Sequence, residues 1–127
     1  MEYIIIALQV IVGISILNVW LVQPKKATKW RGGNATTIIE EFKTYGLPVW
    51  SCYLVGVLKI SLAITLLIGI WYNQLTGPAS LGLAFLLLGS IIMHYKIKDP
   101  LYKSFPAFLF MVMCLVIASG TYLKFTL

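Results

Sequence analysis

Between Lys43 and Lys96 the chain carries a single charged side chain, Lys59, in 52 residues. Apart from that lysine and the ionisable His94, the run from Thr44 to Tyr95 is uncharged and mostly apolar. It is broken only at Trp71-Tyr-Asn-Gln-Leu-Thr-Gly-Pro78. This is too long for one buried core helix, whereas two membrane spans joined by a short turn fit it. Lys59 then falls near the middle of the first of the two. A lysine at mid-bilayer costs roughly 2.5–3.5 kcal/mol on insertion scales, so it is expected to have a partner or a task.

The remainder of the chain extends the pattern. Tyr3 to Val22 and Ser104 to Leu123 are each uncharged runs of 20 residues. The expected architecture is all-α: a transmembrane four-helix bundle with spans near 3–22, 47–71, 78–95 and 104–123, forming one membrane domain over 1–127. An apolar content of 60% and a mean hydropathy of +0.91 fit no soluble domain. The first span reads as a retained anchor. It opens on Glu2 where a cleaved signal would be basic, and it ends in Gln23-Pro24-Lys25-Lys26 without a small-residue cleavage pattern.

A net charge of +6 invites a nucleic-acid reading, but the distribution argues for a lipid surface. Lys25, Lys26, Lys29, Arg31 and Lys43 lie in the first loop and Lys96, Lys98 and Lys103 in the third, against Lys124 alone on the other side. The positive-inside rule places loops one and three in the cytoplasm, beside anionic headgroups. Trp20, Trp50, Tyr95 and Tyr102 mark that interface, and Tyr3, Trp71, Tyr72 and Tyr122 the opposite one.

The first loop has structure written into it. Thr37-Ile-Ile-Glu40 fits a capping box, Ile38, Ile39, Phe42 and Tyr45 form one apolar face, and Gly46 can end the turn. A short amphipathic helix at the interface is expected there. Asn34-Ala35-Thr36 is a chance match to a glycosylation sequon, since the loop is read as cytoplasmic. In the second span Cys52, Gly56, Lys59 and Ala63 recur at helical spacing, so Lys59 shares a small-residue packing face. Ala79, Gly82, Leu86 and Gly89 form a similar stripe in the third.

Counting depth from the loop-one ends of antiparallel spans puts Gln9 level with Lys59. Its amide carbonyl is therefore the expected partner, with Glu40 or Glu41 folding inward from the first loop as the alternative. Asn18 and His94 lie near the same edge, and Arg31 is the guanidinium the first loop contributes. Two readings stay open. In one, these groups line a small cavity for a hydrophobic ligand with an oxygen head. In the other, Lys59 snorkels or fixes helix register. Cys52 and Cys114 make no C-x-x-C and no metal spacing with the single histidine, so no metal site is expected. No phosphate loop or nucleophile elbow is present, and independent catalysis is not expected.

The segment from Asn18 to Phe42, the Tyr45-Gly-Leu-Pro48 entry, the Lys59 span and Met93-His94…Lys98-Asp-Pro100 together resemble the DoxX-like family of small four-span membrane proteins. The resemblance implies a four-helix bundle in a bacterial inner membrane. Within the wider group, members resemble a subunit of a thiosulfate:quinone oxidoreductase or accompany membrane redox enzymes, and distant relatives chaperone acetylcholine receptors. The functions implied are a non-catalytic subunit that binds a quinone or other lipid and supports a membrane redox partner, an assembly factor for client membrane proteins, or a small transporter acting as a homo-oligomer.

Overall fold

The computed structural model describes residues 2–22, Gly33, Ala35 and residues 37–122. Among these there is no strand. Helix α1 (Glu2–Leu17) continues into a wider π turn over Asn18–Val22; α2 (Ile38–Thr44), α3 (Val49–Ile68), α4 (Thr76–Lys96) and α5 (Phe105–Tyr122) follow. Short 3₁₀ turns at Asn73–Leu75 and Leu101–Ser104 lead into α4 and α5. Four of the helical segments, Tyr3–Leu21, Val49–Ile68, Asn73–Lys96 and Leu101–Tyr122, are long and apolar enough to cross a membrane. The third begins ahead of the expected residue 78. Thr76 closes its start by donating from Oγ1 to the Gly69 carbonyl at 3.0 Å, and Pro78 sits in the first turn, where no N–H is needed.

Helix α1 packs on α3 and α5, and α4 packs on the same two, so the four long helices close a ring with α1 and α4 on one diagonal. The core between them is Val12 and Ile16 from α1, Ala63 and Leu66 from α3, Ala79, Leu83, Ala84 and Leu87 from α4, and Cys114 and Ile117 from α5. Outward, the bundle shows large apolar side chains such as Ile14, Val57, Phe85 and Phe108. An apolar exterior around a helical core is what lipid as solvent requires.

The small-residue face of α3 is buried along its length, at Cys52, Gly56, Lys59 and Ala63. Gly56 is there for close approach: a Cβ on it would stand 2.9 Å from the ring of Trp20. Of the stripe foreseen on α4 only Ala79 is buried, and Gly82, Leu86 and Gly89 are half-buried. The buried face includes Ser80, Leu83, Ala84 and Leu87 instead, because α4 must serve both α3 and α5. Gly82 meets Leu62 of α3, while Gly89 has nothing within 4 Å and faces open space.

Helix α2 forms in the first loop where the capping signal lies. Thr37 is its N-cap, its Oγ1 accepting from the Glu40 amide at 3.1 Å. The far end closes as a Schellman motif. Gly46, at φ +83°, donates its N–H to Lys43, and Leu47 donates to Phe42. Ile38 and Tyr45 are buried and Glu40 is exposed, so the apolar face turns into the bundle end and packs on α3.

Candidate functional site

The α3 packing face carries Lys59 inward, leaving it 7% exposed. Its Nζ donates to Ser90 Oγ of α4 at 3.2 Å and stands 5.5 Å from the centre of the Trp20 ring. That ring offers its negative face to the ammonium. Trp20 reaches this position from the π turn and is held edge-on by Phe42 of α2, with centroids 6.2 Å apart. A buried ammonium that met only hydrocarbon would be costly; here a hydroxyl and an aromatic face surround it.

Gln9 is not its partner. The Gln9 amide donates to the Leu66 carbonyl at 3.0 Å and to Thr76 Oγ1 at 3.3 Å, two turns farther along α3 and toward the other end of the bundle. The depth count assumed that α1 and α3 begin level. The packing of Trp20 on Gly56 and of Gly13 against Leu67 shows that α3 starts well outside the end of α1. Lys59 therefore lies one turn from the level of Trp20, and Gln9 lies at the level of Leu66.

Helix α2 brings two polar groups to the same end. The Tyr45 hydroxyl donates to Glu41 Oε1, in a short hydrogen bond, and lies 3.4 Å from His94 Nε2. On the other side of the ring, His94 Nδ1 is 2.7 Å from Asp99 Oδ2. Asp99 also accepts the Gly33 amide at 3.0 Å and lies 3.8 Å from Lys103 Nζ, which donates to the Gly33 carbonyl at 2.6 Å. Lys96 donates to the Tyr45 carbonyl at 3.1 Å. Loops one and three are thus fastened together over the bundle end, with His94 buried beneath them.

Two cavities open beside this cluster. One, of about 290 Å³, is bounded by α2, α3 and α4 and includes Tyr45, Val55, Phe85, Gly89 and Met93. The other, of about 320 Å³, lies toward α1 and α5, with Ser15, Ile16, His94, Lys103 and Phe110. Val19, Trp20, Glu41, Lys59 and Ser90 line both. Apolar walls with a few convergent polar groups are the usual make-up of a small-molecule site. No three His, Cys, Asp or Glu side chains converge as a metal site among the described residues.

Of the residues singled out from the sequence, the structure gathers Lys59, Glu41 and His94. Glu40 is exposed on the outer face of α2, Asn18 starts the π turn and lines neither cavity, and Arg31 lies outside the described residues. Ser90, Trp20, Tyr45, Asp99 and Lys103 complete the cluster, none of them expected from the sequence as a site residue. One signal for Ser90 was available: it stands four residues before His94 and so shares a face of α4.

Fold and site together define a multi-pass helical membrane protein with a polar cluster and paired cavities at the loop-one and loop-three end of its bundle. The chain belongs to the DoxX-like family, which it matches over residues 29–118, a stretch that takes in α2, α3, α4 and the whole polar cluster apart from Trp20. No curated protein and no solved structure matches it significantly.

Proposed function

We propose that the protein binds a lipid-soluble carbonyl compound of the quinone class at the Lys59 wall and serves as a non-catalytic membrane subunit for a redox partner. The carrying observation is the shared wall of the two cavities. It sets an ammonium, a hydroxyl and an indole against apolar space next to the bundle exterior. An ammonium and a hydroxyl both donate to carbonyl oxygen, and the apolar walls suit a ring with a hydrocarbon tail.

Charge favours a neutral head over a carboxylate. The Glu41 carboxylate lines both cavities beside Lys59, so an anionic head would meet a like charge next to the ammonium. A neutral oxygen acceptor avoids that repulsion. In this reading loops one and three face the cytoplasm of a bacterial inner membrane, following the basic-residue bias.

Native mass spectrometry of the full chain purified in mild detergent tests the reading, with ubiquinone-1 added as probe. Retention of the quinone by the wild type and its loss in a folded Lys59→Met variant are expected. Equal retention by both removes the Lys59 wall as the site. Failure of the wild type to hold any quinone removes the function, and leaves the assembly-factor and transporter alternatives.

A further inference from the structure

We propose that His94, Tyr45 and Glu41, with Asp99 holding the His94 ring, form a proton relay that delivers one proton from His94 to the ligand at the Lys59 wall. The inference rests on the quinone reading and assigns these four side chains a task beyond binding. They stand in line. Asp99 Oδ2 is 2.7 Å from His94 Nδ1, His94 Nε2 is 3.4 Å from Tyr45 Oη, and the Tyr45 hydroxyl bonds Glu41 Oε1. Glu41 then lines both cavities with Lys59. The longest link, His94 to Tyr45 at 3.4 Å, is of the kind that is often long in an empty site and tightens when the ligand is bound.

Counting hydrogens gives the relay its direction. With both carboxylates ionised and the Tyr45 proton on Glu41, every link is filled only if His94 is an imidazolium. Nδ1–H then donates to Asp99 and Nε2–H to Tyr45. The neutral ring with its proton on Nδ1 leaves Nε2 as an acceptor facing the Tyr45 oxygen, and the hydroxyl must choose between Glu41 and His94. The two arrangements differ by one proton; loss of the Nε2 proton together with rotation of the Tyr45 O–H connects them. Among the described residues, Lys103 approaches Asp99 from the 3₁₀ turn, Lys59 lines the same cavity from α3, and Lys96 reaches the Tyr45 carbonyl from the end of α4.

The transfer balances bond by bond. Glu41 accepts the Tyr45 hydroxyl proton while Tyr45 accepts the Nε2 proton of His94. One O–H and one N–H bond break, two O–H bonds form, and the ring is left neutral. The Glu41 carboxyl then gives its proton to a ligand oxygen made anionic by electrons from a low-potential two-electron donor, which the redox partner supplies in the proposed function and dithionite supplies in the test. Quinone plus two electrons and two protons gives quinol. The relay supplies one proton and solvent the other; His94 keeps its Nδ1 proton throughout and regains the Nε2 proton from water entering the cavity it lines once the product leaves.

The test uses the full chain in nanodiscs loaded with ubiquinone-1, reduced by dithionite in a stopped-flow spectrometer. With the rate taken per bound quinone at saturating ubiquinone-1, His94→Ala and Tyr45→Phe are expected to slow its reduction at least tenfold, at the lower end of what a positioned proton donor contributes. Added imidazole is expected to restore His94→Ala and leave Tyr45→Phe slow, which a purely structural histidine would not do. Wild-type rates in both variants, or a loss in His94→Ala that imidazole does not restore, overturn the relay while the binding site stands. If His94→Ala does not fold, Tyr45→Phe alone decides, since it keeps the ring and removes one hydroxyl. A wild type that binds no ubiquinone-1 overturns the function and the relay together.

Discussion

Asp99 lies three residues past the end of α4 and turns back to meet His94, five residues earlier, its Oδ2 2.7 Å from the imidazole Nδ1. The turn that permits this places Lys98 at φ +57° and lets the Asp99 amide donate to the His94 carbonyl at 3.0 Å. One residue therefore closes the helix end with its amide, while its carboxylate orients a buried ring and holds Gly33 of the first loop.

Asp99→Ala is expected to cost about 1.5–3 kcal/mol, the range for hydrogen bonds to a charged group. Asp99→Asn should cost less, because an amide keeps the shape and one acceptor. Thermal unfolding in a fixed detergent gives the order of the two. Hydrogen exchange should show the loss concentrated in α2, which the Gly33 clasp holds down, and a loss spread evenly over the bundle would contradict the clasp.

Much of this fold was legible because lipid imposes simple rules. Four long apolar runs had to be helices, the small-residue spacing around Lys59 had to face a neighbour, and Thr37 and Gly46 marked both ends of α2. The site was legible only in part. Lys59, Glu41 and His94 announce themselves by charge in an apolar chain. Ser90 and Tyr45 look like ordinary residues until the helices pack. Gln9 was assigned to Lys59 by a count along the chain that contained no information on how far α3 extends beyond α1. That offset is set by Trp20 filling the space over Gly56, a tertiary contact with no local signature.

Gly89 is a helical glycine with no neighbour to crowd it. Gly89→Ala is expected to raise stability by about 0.4–1 kcal/mol, since alanine narrows the unfolded ensemble without a clash. Gly89→Leu projects a larger side chain into the cavity between α3 and α4, and should weaken ubiquinone-1 binding while the protein stays folded. Thermal unfolding and a binding titration on the same samples separate the two effects. A destabilised Gly89→Ala would mean that the space is already filled.

Orientation can be read with single cysteines, because both native ones, Cys52 and Cys114, are buried. Asn73→Cys, in the exposed turn before α4, should react with an impermeant maleimide on intact cells. Lys98→Cys, on the basic side, should react only after permeabilisation. The reverse pattern would invert the assignment drawn from eight basic loop residues against one.

Lys59 and Glu41 reach the same cavities from different elements, one from a span and the other from the first loop. Removing one of two opposite charges in a secluded site leaves the other uncompensated, whereas removing both need not destabilise. Lys59→Met and Glu41→Gln are each expected to lower the melting temperature, and the double variant should recover part of the loss, with a coupling of about 0.5–3 kcal/mol. The measurement is a double-mutant cycle on unfolding, repeated with and without ubiquinone-1. Additive losses would show that the two groups act independently. A coupling without quinone that shrinks when it is bound would place the ligand's oxygen between the ammonium and the carboxylate.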